Sequence, residues 1–247
     1  LAGILDPSAG QLAVMGQPFP AGVEKVQSRI GYMSQRFGLY PDLTVSENIA
    51  FYADIFGVTG SELRERSERL LSFSGLAPFT KRLAGRLSGG MKQKLGLCCA
   101  LIHKPELLLL DEPTNGVDPV SRRDFWRILR ELHAEGVTIV VATAYLDEAG
   151  RCDRVGLIHA GQMIACGTPA ELTGNGATTL EELVIGKIQE EKQIEVKKRP
   201  ELNLNLNLNL NLGVPAVSLN HLTKRFGDFT AVDAISLTVP RGQIFGF

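Results

Sequence analysis

With 247 residues, 44% of them hydrophobic and 21% charged, the chain has the composition of an ordinary soluble protein and the length for one large α/β domain or two small ones. Its 26 Lys and Arg against 27 Asp and Glu leave a net charge of -1, which excludes a global basic field for nucleic acid or anionic lipid. The longest uninterrupted aliphatic stretch, Leu107 to Leu110, falls far short of the ~20 residues of a membrane span, and the four cysteines (Cys98, Cys99, Cys152, Cys166) lack the spacing of a disulfide framework or zinc knuckle. A reducing compartment fits them best. The chain opens at Leu1 without a Met or a charged leader and reads as a piece of something longer.

Strand and helix signals alternate over residues 1–173. Gln11–Met15 and Ile30–Met33 are short strand candidates separated by Gly- and Pro-containing turns. Thr44-Val45-Ser46-Glu47 is a capping box that opens a helix through Phe56, ended by Gly57. Ser61 to Ser74 is a charged amphipathic helix with Leu63, Leu70 and Leu71 on one side, stopped by Gly75. Ser88-Gly89-Gly90 opens a helix to about His103, and Leu107–Leu110 is a buried strand bounded by Pro105 and by Asp111-Glu112-Pro113. Asp118-Pro119 caps and starts a helix that ends at Gly136, before an all-apolar strand at Thr138–Ala142. Apolar strands alternating with helices predict a mainly parallel sheet covered on both faces.

A hairpin follows, with strands near Arg154–Ile158 and Gln162–Cys166 joined at Ala160-Gly161. Thr168-Pro169-Ala170-Glu171 is a second capping box, and Thr179 to about Gln193 can form another helix. The character then changes. Lys197-Lys198-Arg199-Pro200 leads into a strict Leu/Asn alternation at residues 202–212, which reads as a low-complexity linker because Asn is a poor strand former. Beyond Pro215, Val217–Leu219, Ala234–Val239 and Gln243–Phe247 look like strands.

Two segments carry chemistry. Leu107 to Glu112 delivers adjacent carboxylates at the C-terminal end of an apolar strand, where ligands bind in open α/β sheets. The first acid can hold Mg²⁺ and the second can orient or deprotonate an attacking water. Taken alone, the same run is equally a Leu-rich core strand ending in a polar turn. Leu87-Ser88-Gly89-Gly90-Met91 places a hydroxyl and two side-chain-free backbone groups at a helix start, where an anion is favoured by about 0.3–1 kcal/mol. By itself this is no more than an N-cap Ser with a flexible Gly pair.

The order and spacing of the two segments decide between these readings. Ser88–Gln93 followed by Asp111–Asp118 (DEPTNGVD) resembles the signature motif, Walker B and D-loop of ATP-binding cassette (ABC) proteins. The resemblance implies an α/β cassette of the P-loop NTPase type, with a mainly parallel sheet, an antiparallel hairpin and a helical signature subdomain at about 45–104. It divides the chain into an N-terminally truncated cassette at 1–174 without its Walker A, a helix and linker at 175–213, and the first strands of a second cassette at 214–247. That last assignment rests on Leu222-Thr223-Lys224-Arg225-Phe226-Gly227 followed by Val239–Gly246.

Roles follow position by position from the resemblance. Gln35 matches the Q-loop glutamine that touches Mg²⁺ and the γ-phosphate, and an amide can both donate and accept there. Ser88, Gly89 and Gly90 match the signature that closes over an ATP held by an opposing cassette. Asp111 matches the Mg²⁺ acid, Glu112 the catalytic base, Asp118 the aspartate at the cassette–cassette seam, and Phe226 the aromatic that stacks on adenine in the second cassette. The implied cofactors are ATP and Mg²⁺. The implied partners are a second cassette, in the same chain or a dimer, and an ABC-2 type transmembrane domain, with no direct DNA binding. The implied location is cytoplasmic, peripheral at the cytoplasmic face of the inner membrane.

Two departures qualify the family pattern. No G-x-x-x-x-G-K-[ST] occurs in the sequence, so no phosphate cradle of that type is present. In Val141 to Glu148, which aligns with the switch segment, Ala144 stands where most members carry His, and a methyl group cannot hydrogen-bond a γ-phosphate. The resemblance therefore implies two unequal sites, with the one using Glu112 degenerate and the one closed by the Ser88 signature competent. Lys94 to His103, the Ala144 change and Arg241–Phe247 resemble the bacterial ribosome-associated ATPase; tandem-cassette ATPase subunits of ABC-2 drug exporters share Phe37-Gly38-Leu39-Tyr40 and Gly116-Val117-Asp118-Pro119. The expected function is ATP-driven export, with a ribosome-associated ATPase acting in translation, or a fragment without ATPase activity of its own, as alternatives.

Overall fold

Local signals set most of the element boundaries. The computed structural model describes residues 2–3, 8–35, 38–192 and 217–239. Leu12–Val14 (β1) and Gln17–Phe19 (β2) pair antiparallel around Met15 and Gly16, at φ 51° and 75°, the left-handed pair that a two-residue hairpin turn requires. A short helix, Val23–Gln27 (α1), then buries Val26. The sequence predicted β1 but neither β2 nor α1, because Pro18 in a three-residue edge strand and a five-residue helix give little periodicity to read.

After Ile30–Met33 (β3), Val45–Ile55 (α2) starts at the expected capping box, in which Glu47 N–H donates to Thr44 Oγ1 at 3.2 Å and Thr44 N–H to Glu47 Oε2 at 2.8 Å. Gly60–Ser74 (α3) ends on Gly75 at φ 72°, and Gly89–Leu101 (α4) starts at Ser88. α2, α3 and α4 enclose one core that includes Val45, Ile49, Leu71, Leu76, Leu95 and Ile102. Next come Leu107–Asp111 (β4), Pro119–Ala134 (α5) and Thr138–Ala142 (β5).

The sheet is parallel in the order β3-β4-β5, with Met33 opposite Leu110 and Asp111 opposite Ala142. α4 and α5 cover one face through Leu97, Leu101, Phe125 and Leu129, packed on Leu108 and Leu110. The other face is only partly closed. Val14 and Val26 lie over Ile30 and Leu109, but Tyr32 and Val140 remain 43% and 42% exposed. The expectation of a sheet covered on both faces is corrected accordingly: among the described residues, β1 and α1 pack over Ile30 and Leu109 and nothing is packed over Val140.

Leu146–Ala149 (α6), the hairpin Val155–His159 (β6) and Gln162–Gly167 (β7), Pro169–Leu172 (α7) and Leu180–Lys192 (α8) follow. The hairpin turns at Ala160-Gly161 as expected, both at positive φ, and Val155, Leu157 and Leu180 share a small core with Ala149. Compactness divides the chain into two units, Leu1–Glu191 and Lys192–Phe247. In the second unit, Val217–Phe226 (β8) and Phe229–Val239 (β9) form an antiparallel ribbon turning at Gly227 and Asp228. Both strands run longer than the sequence predicts; register shifts after Leu219, Leu222 and Lys224 break the alternation that would have extended them. The Leu/Asn run and the strand expected at 243–247 lie outside the described residues. No helix among the described residues is long and apolar enough to cross a membrane.

Candidate active site

Because β3, β4 and β5 are parallel, their carboxyl ends lie along one edge of the sheet. Gln35 follows β3 by two residues and is exposed; Asp111 ends β4; Glu112 comes next; and Ala144 follows β5 by two residues and is exposed. Glu112 occupies the left-handed region at φ 47°, unusual for a non-glycine residue, while its N–H donates to Ala142 O at 2.8 Å. Six other described non-glycine residues share a positive φ, so what marks this turn is the conjunction of that conformation with two adjacent acids at the end of a central strand.

The N-terminus of α4 reaches the same region. Ser88 Oγ accepts from Met91 N–H at 3.3 Å, the N-cap bond expected of it. The two glycines differ in their surroundings. A Cβ on Gly90 would lie 2.4 Å from Ser121 Oγ and 2.5 Å from Ser121 Cβ, whereas one on Gly89 would meet nothing closer than Gly116 O at 3.8 Å. Helix packing therefore demands glycine at 90. At 89 it leaves open backbone at a helix N-terminus, a cradle that suits an anion. Asp118 caps α5 by accepting from Ser121 N–H at 2.9 Å, and Ser121's side chain and backbone hold its exposed carboxyl below the usual aspartate range.

Buried polar side chains tie these pieces together. Gln93, fully buried on α4, donates through Nε2 to Pro113 O, next to Glu112. Glu148, also fully buried, accepts from Thr114 Oγ1 and, at 3.0 Å, from Thr143 Oγ1. Arg122 from α5 approaches Glu148 Oε1 at 3.7 Å and lies 4.5 Å over the Tyr145 ring. The sequence reading missed Glu148, Thr114, Thr143, Arg122 and the structural part of Gln93. Only an acidic residue so soon after an apolar strand hinted at Glu148. The structure thus gathers Ser88–Gly90, Asp111, Glu112 and Asp118 around linked turns and places Gln35 on the same sheet edge. Phe226 falls on β8 in the second unit.

The donor set has the chemistry of a hard-cation site. Asp111 and Gln35 offer oxygen donors, and no group of three or more His, Cys, Asp or Glu among the described residues forms a protein-only metal cage. Mg²⁺ prefers such a site, with one or two carboxylates, and takes its other ligands from phosphates and water.

Paired acids at the end of a central parallel strand, followed by a turn on which a glycine-opened helix rests, mark an ABC-type cassette of the P-loop NTPase fold. Residues 1–115 match the family model described as ABC transporter. The chain is 38% identical to the probable multidrug ABC transporter ATP-binding protein YbhF of Escherichia coli (strain K12), over all of this chain and 53% of that protein. It is 34% identical to the linearmycin resistance ATP-binding protein LnrL of Bacillus subtilis (strain 168), over 82% of this chain and 66% of that one. The solved structure of cbiO1 from Clostridium perfringens, part of the ABC transporter complex cbiONQ, superposes with a TM-score of 0.64 at 29% identity, over 76% of this chain and 75% of that one. The chain is thus similar over its whole length to ATP-binding proteins of ABC transporters, and its first 115 residues match that family's model. It spans about half the length of the first of these relatives.

Proposed function

We propose that the protein is the ATP-hydrolysing unit of an ABC-2 type exporter at the cytoplasmic face of the inner membrane, working as two cassettes in tandem and moving drug-like cargo. The observation that carries this reading is the turn at Asp111-Glu112, strained at Glu112 and linked through Pro113 O to the glycine-opened helix that starts at Ser88. Asp111 and Gln35 would hold Mg²⁺, and Glu112 would take the proton of the attacking water. When bound, Mg²⁺ neutralises charge developing on the phosphates. Ser88, Gly89 and Gly90 would close on an ATP carried by the opposing cassette, Asp118 would line the seam between cassettes, and Phe226 would stack on adenine.

The tandem arrangement is supported by the Leu222–Gly227 motif and by a likeness to a multidrug ATP-binding protein that runs through the whole chain. Cargo of drug class is supported by the names of the relatives, one for multidrug and one for linearmycin resistance. Ala144, exposed and without a hydrogen-bonding side chain, makes the two sites unequal. The test is Mg²⁺-dependent phosphate release by the full-length protein, together with drug accumulation in cells lacking it. Hydrolysis and raised accumulation are expected. A full-length protein that binds ATP without turning it over would overturn the reading.

A further inference from the structure

We infer that Glu148 is a positioning residue: its buried carboxylate clamps the turn after Glu112 to the switch segment after β5, so that the two segments move as one. The inference rests on the reading above for its catalytic consequence, but its mechanical part stands on geometry alone. Glu148 has no exposed surface, and its two oxygens are divided between two segments about thirty residues away from each other in sequence. Oε1 accepts from Thr114, in the turn between Glu112 and Asp118, and Oε2 accepts from Thr143 at 3.0 Å, at the end of β5. Thr143 Oγ1 in turn accepts from Tyr145 N–H at 3.1 Å, so the carboxylate also fixes the backbone on both sides of Ala144.

Further contacts reinforce the same junction. Tyr145 O–H donates to Asn115 Oδ1 at 3.3 Å. Arg122, one turn into the helix that Asp118 caps, faces Glu148 at 3.7 Å and Asp147 at 3.9 Å. Taking a carboxylate wholly out of water is costly unless it is hydrogen-bonded and faces a cation; here each oxygen accepts one hydroxyl, and the Arg122 guanidinium lies beside Oε1 without a hydrogen bond to it. A local role, capping one short helix, would need neither Thr114 nor Arg122.

The consequence is specific to this chain. Ala144 cannot bond a phosphate, so the switch segment takes its position from inside the protein, through Glu148, rather than from the nucleotide. The turn that it holds also carries Pro113 O, on which Gln93 of α4 rests, and Asp118. Glu148 therefore sets the seam and the signature helix together, and these are the groups proposed to serve the competent site.

Amide hydrogen exchange on the full-length protein tests the clamp without reference to catalysis. Thr143→Val keeps the side-chain shape and removes one hydroxyl. It is expected to speed exchange roughly 10-fold at Asn115 and Val117, whose N–H groups bond to Glu112 O and Thr114 O, as well as in its own segment. Thr114→Val is expected to do the same at Ala149 and Gly150, bonded to Tyr145 O and Leu146 O. Thr143→Ser and Thr114→Ser, which keep a hydroxyl, restore wild-type rates. Exchange that changes only in the segment carrying the substitution overturns the clamp.

The catalytic consequence is read as kcat per folded molecule, which is expected to fall roughly 10-fold in each Val variant with KM within about two-fold, and to recover in the Ser variants. Cross-segment exchange with unchanged kcat overturns the positioning role. A wild-type protein that never hydrolyses ATP overturns the proposed function instead, and the exchange result still decides the clamp.

Discussion

Gly90→Ala separates packing from ligand binding in the Ser88-Gly89-Gly90 segment. The new Cβ would lie 2.5 Å from Ser121 Cβ and 2.4 Å from Ser121 Oγ. Carbon atoms in contact sit ~3.5–4.0 Å apart, so α4 and α5 would have to separate by about 1 Å at their N-termini. Alanine gains about 1 kcal/mol of helix propensity over glycine, and an overpacked methyl group costs about 1–3 kcal/mol. The net is a loss of up to roughly 2 kcal/mol, or up to about 8 °C in Tm for a domain of this size. Urea unfolding of the full-length protein measures it. Ser121→Gly removes both clashing atoms, so in a double-mutant cycle Gly90→Ala with Ser121→Gly should be more stable than the sum of the single variants by about 1 kcal/mol or more. Gly89→Ala is the control: with only Gly116 O at 3.8 Å, it should hold or raise stability while lowering ATP turnover. Additive energies in the cycle would refute the packing argument.

Two further outcomes follow from buried titratable groups. His103 stacks on Phe56 at 3.7 Å and hydrogen-bonds Ile30 O at 3.1 Å; burial, aided by the nearby Arg66 charge, holds its pKa below the ordinary 6.5 despite the opposing effect of that hydrogen bond. The unfolded chain therefore takes up the proton first, and the stability that His103 contributes is full above about pH 6.5 and lost as pH falls below it. Urea midpoints at pH 7.5 and 5.0 should differ more for wild type than for His103→Phe, and identical pH dependence would contradict the assignment. Burial also pushes Cys98 up to about 11 and Cys99 well above its ordinary value, whereas Cys166 is exposed. Ellman's reagent at pH 8 should titrate Cys166 quickly and Cys98 and Cys99 only on unfolding, and native-state labelling that peptide mapping places on Cys98 or Cys99 would count against it.

Signals confined to a few neighbouring residues were legible in the sequence. Thr44 with Glu47, Thr168 with Glu171, Gly75 at the end of α3, Asp118-Pro119 and Ala160-Gly161 each act through their own backbone, and the structure places a cap, stop or turn at every one. The adjacent acids at the end of a Leu-rich strand were legible for the same reason. What depends on distant partners was not. Glu148 reads as one of two charged residues in a short helix, and its burial is decided by Thr114, Thr143 and Arg122. Glu112 gives no warning of its positive φ, since that conformation is set by the turn between β4 and α5.

The unequal-site account meets its most direct test in ATP turnover by two variants of the full-length protein, Ser88→Arg and Glu112→Gln, measured side by side with folded fractions matched. Ser88 is proposed to close the competent site and Glu112 to serve the degenerate one beside Ala144. Ser88→Arg should therefore remove most of the activity while Glu112→Gln leaves most of it. Equal losses in the two variants, or a larger loss in Glu112→Gln, would contradict it.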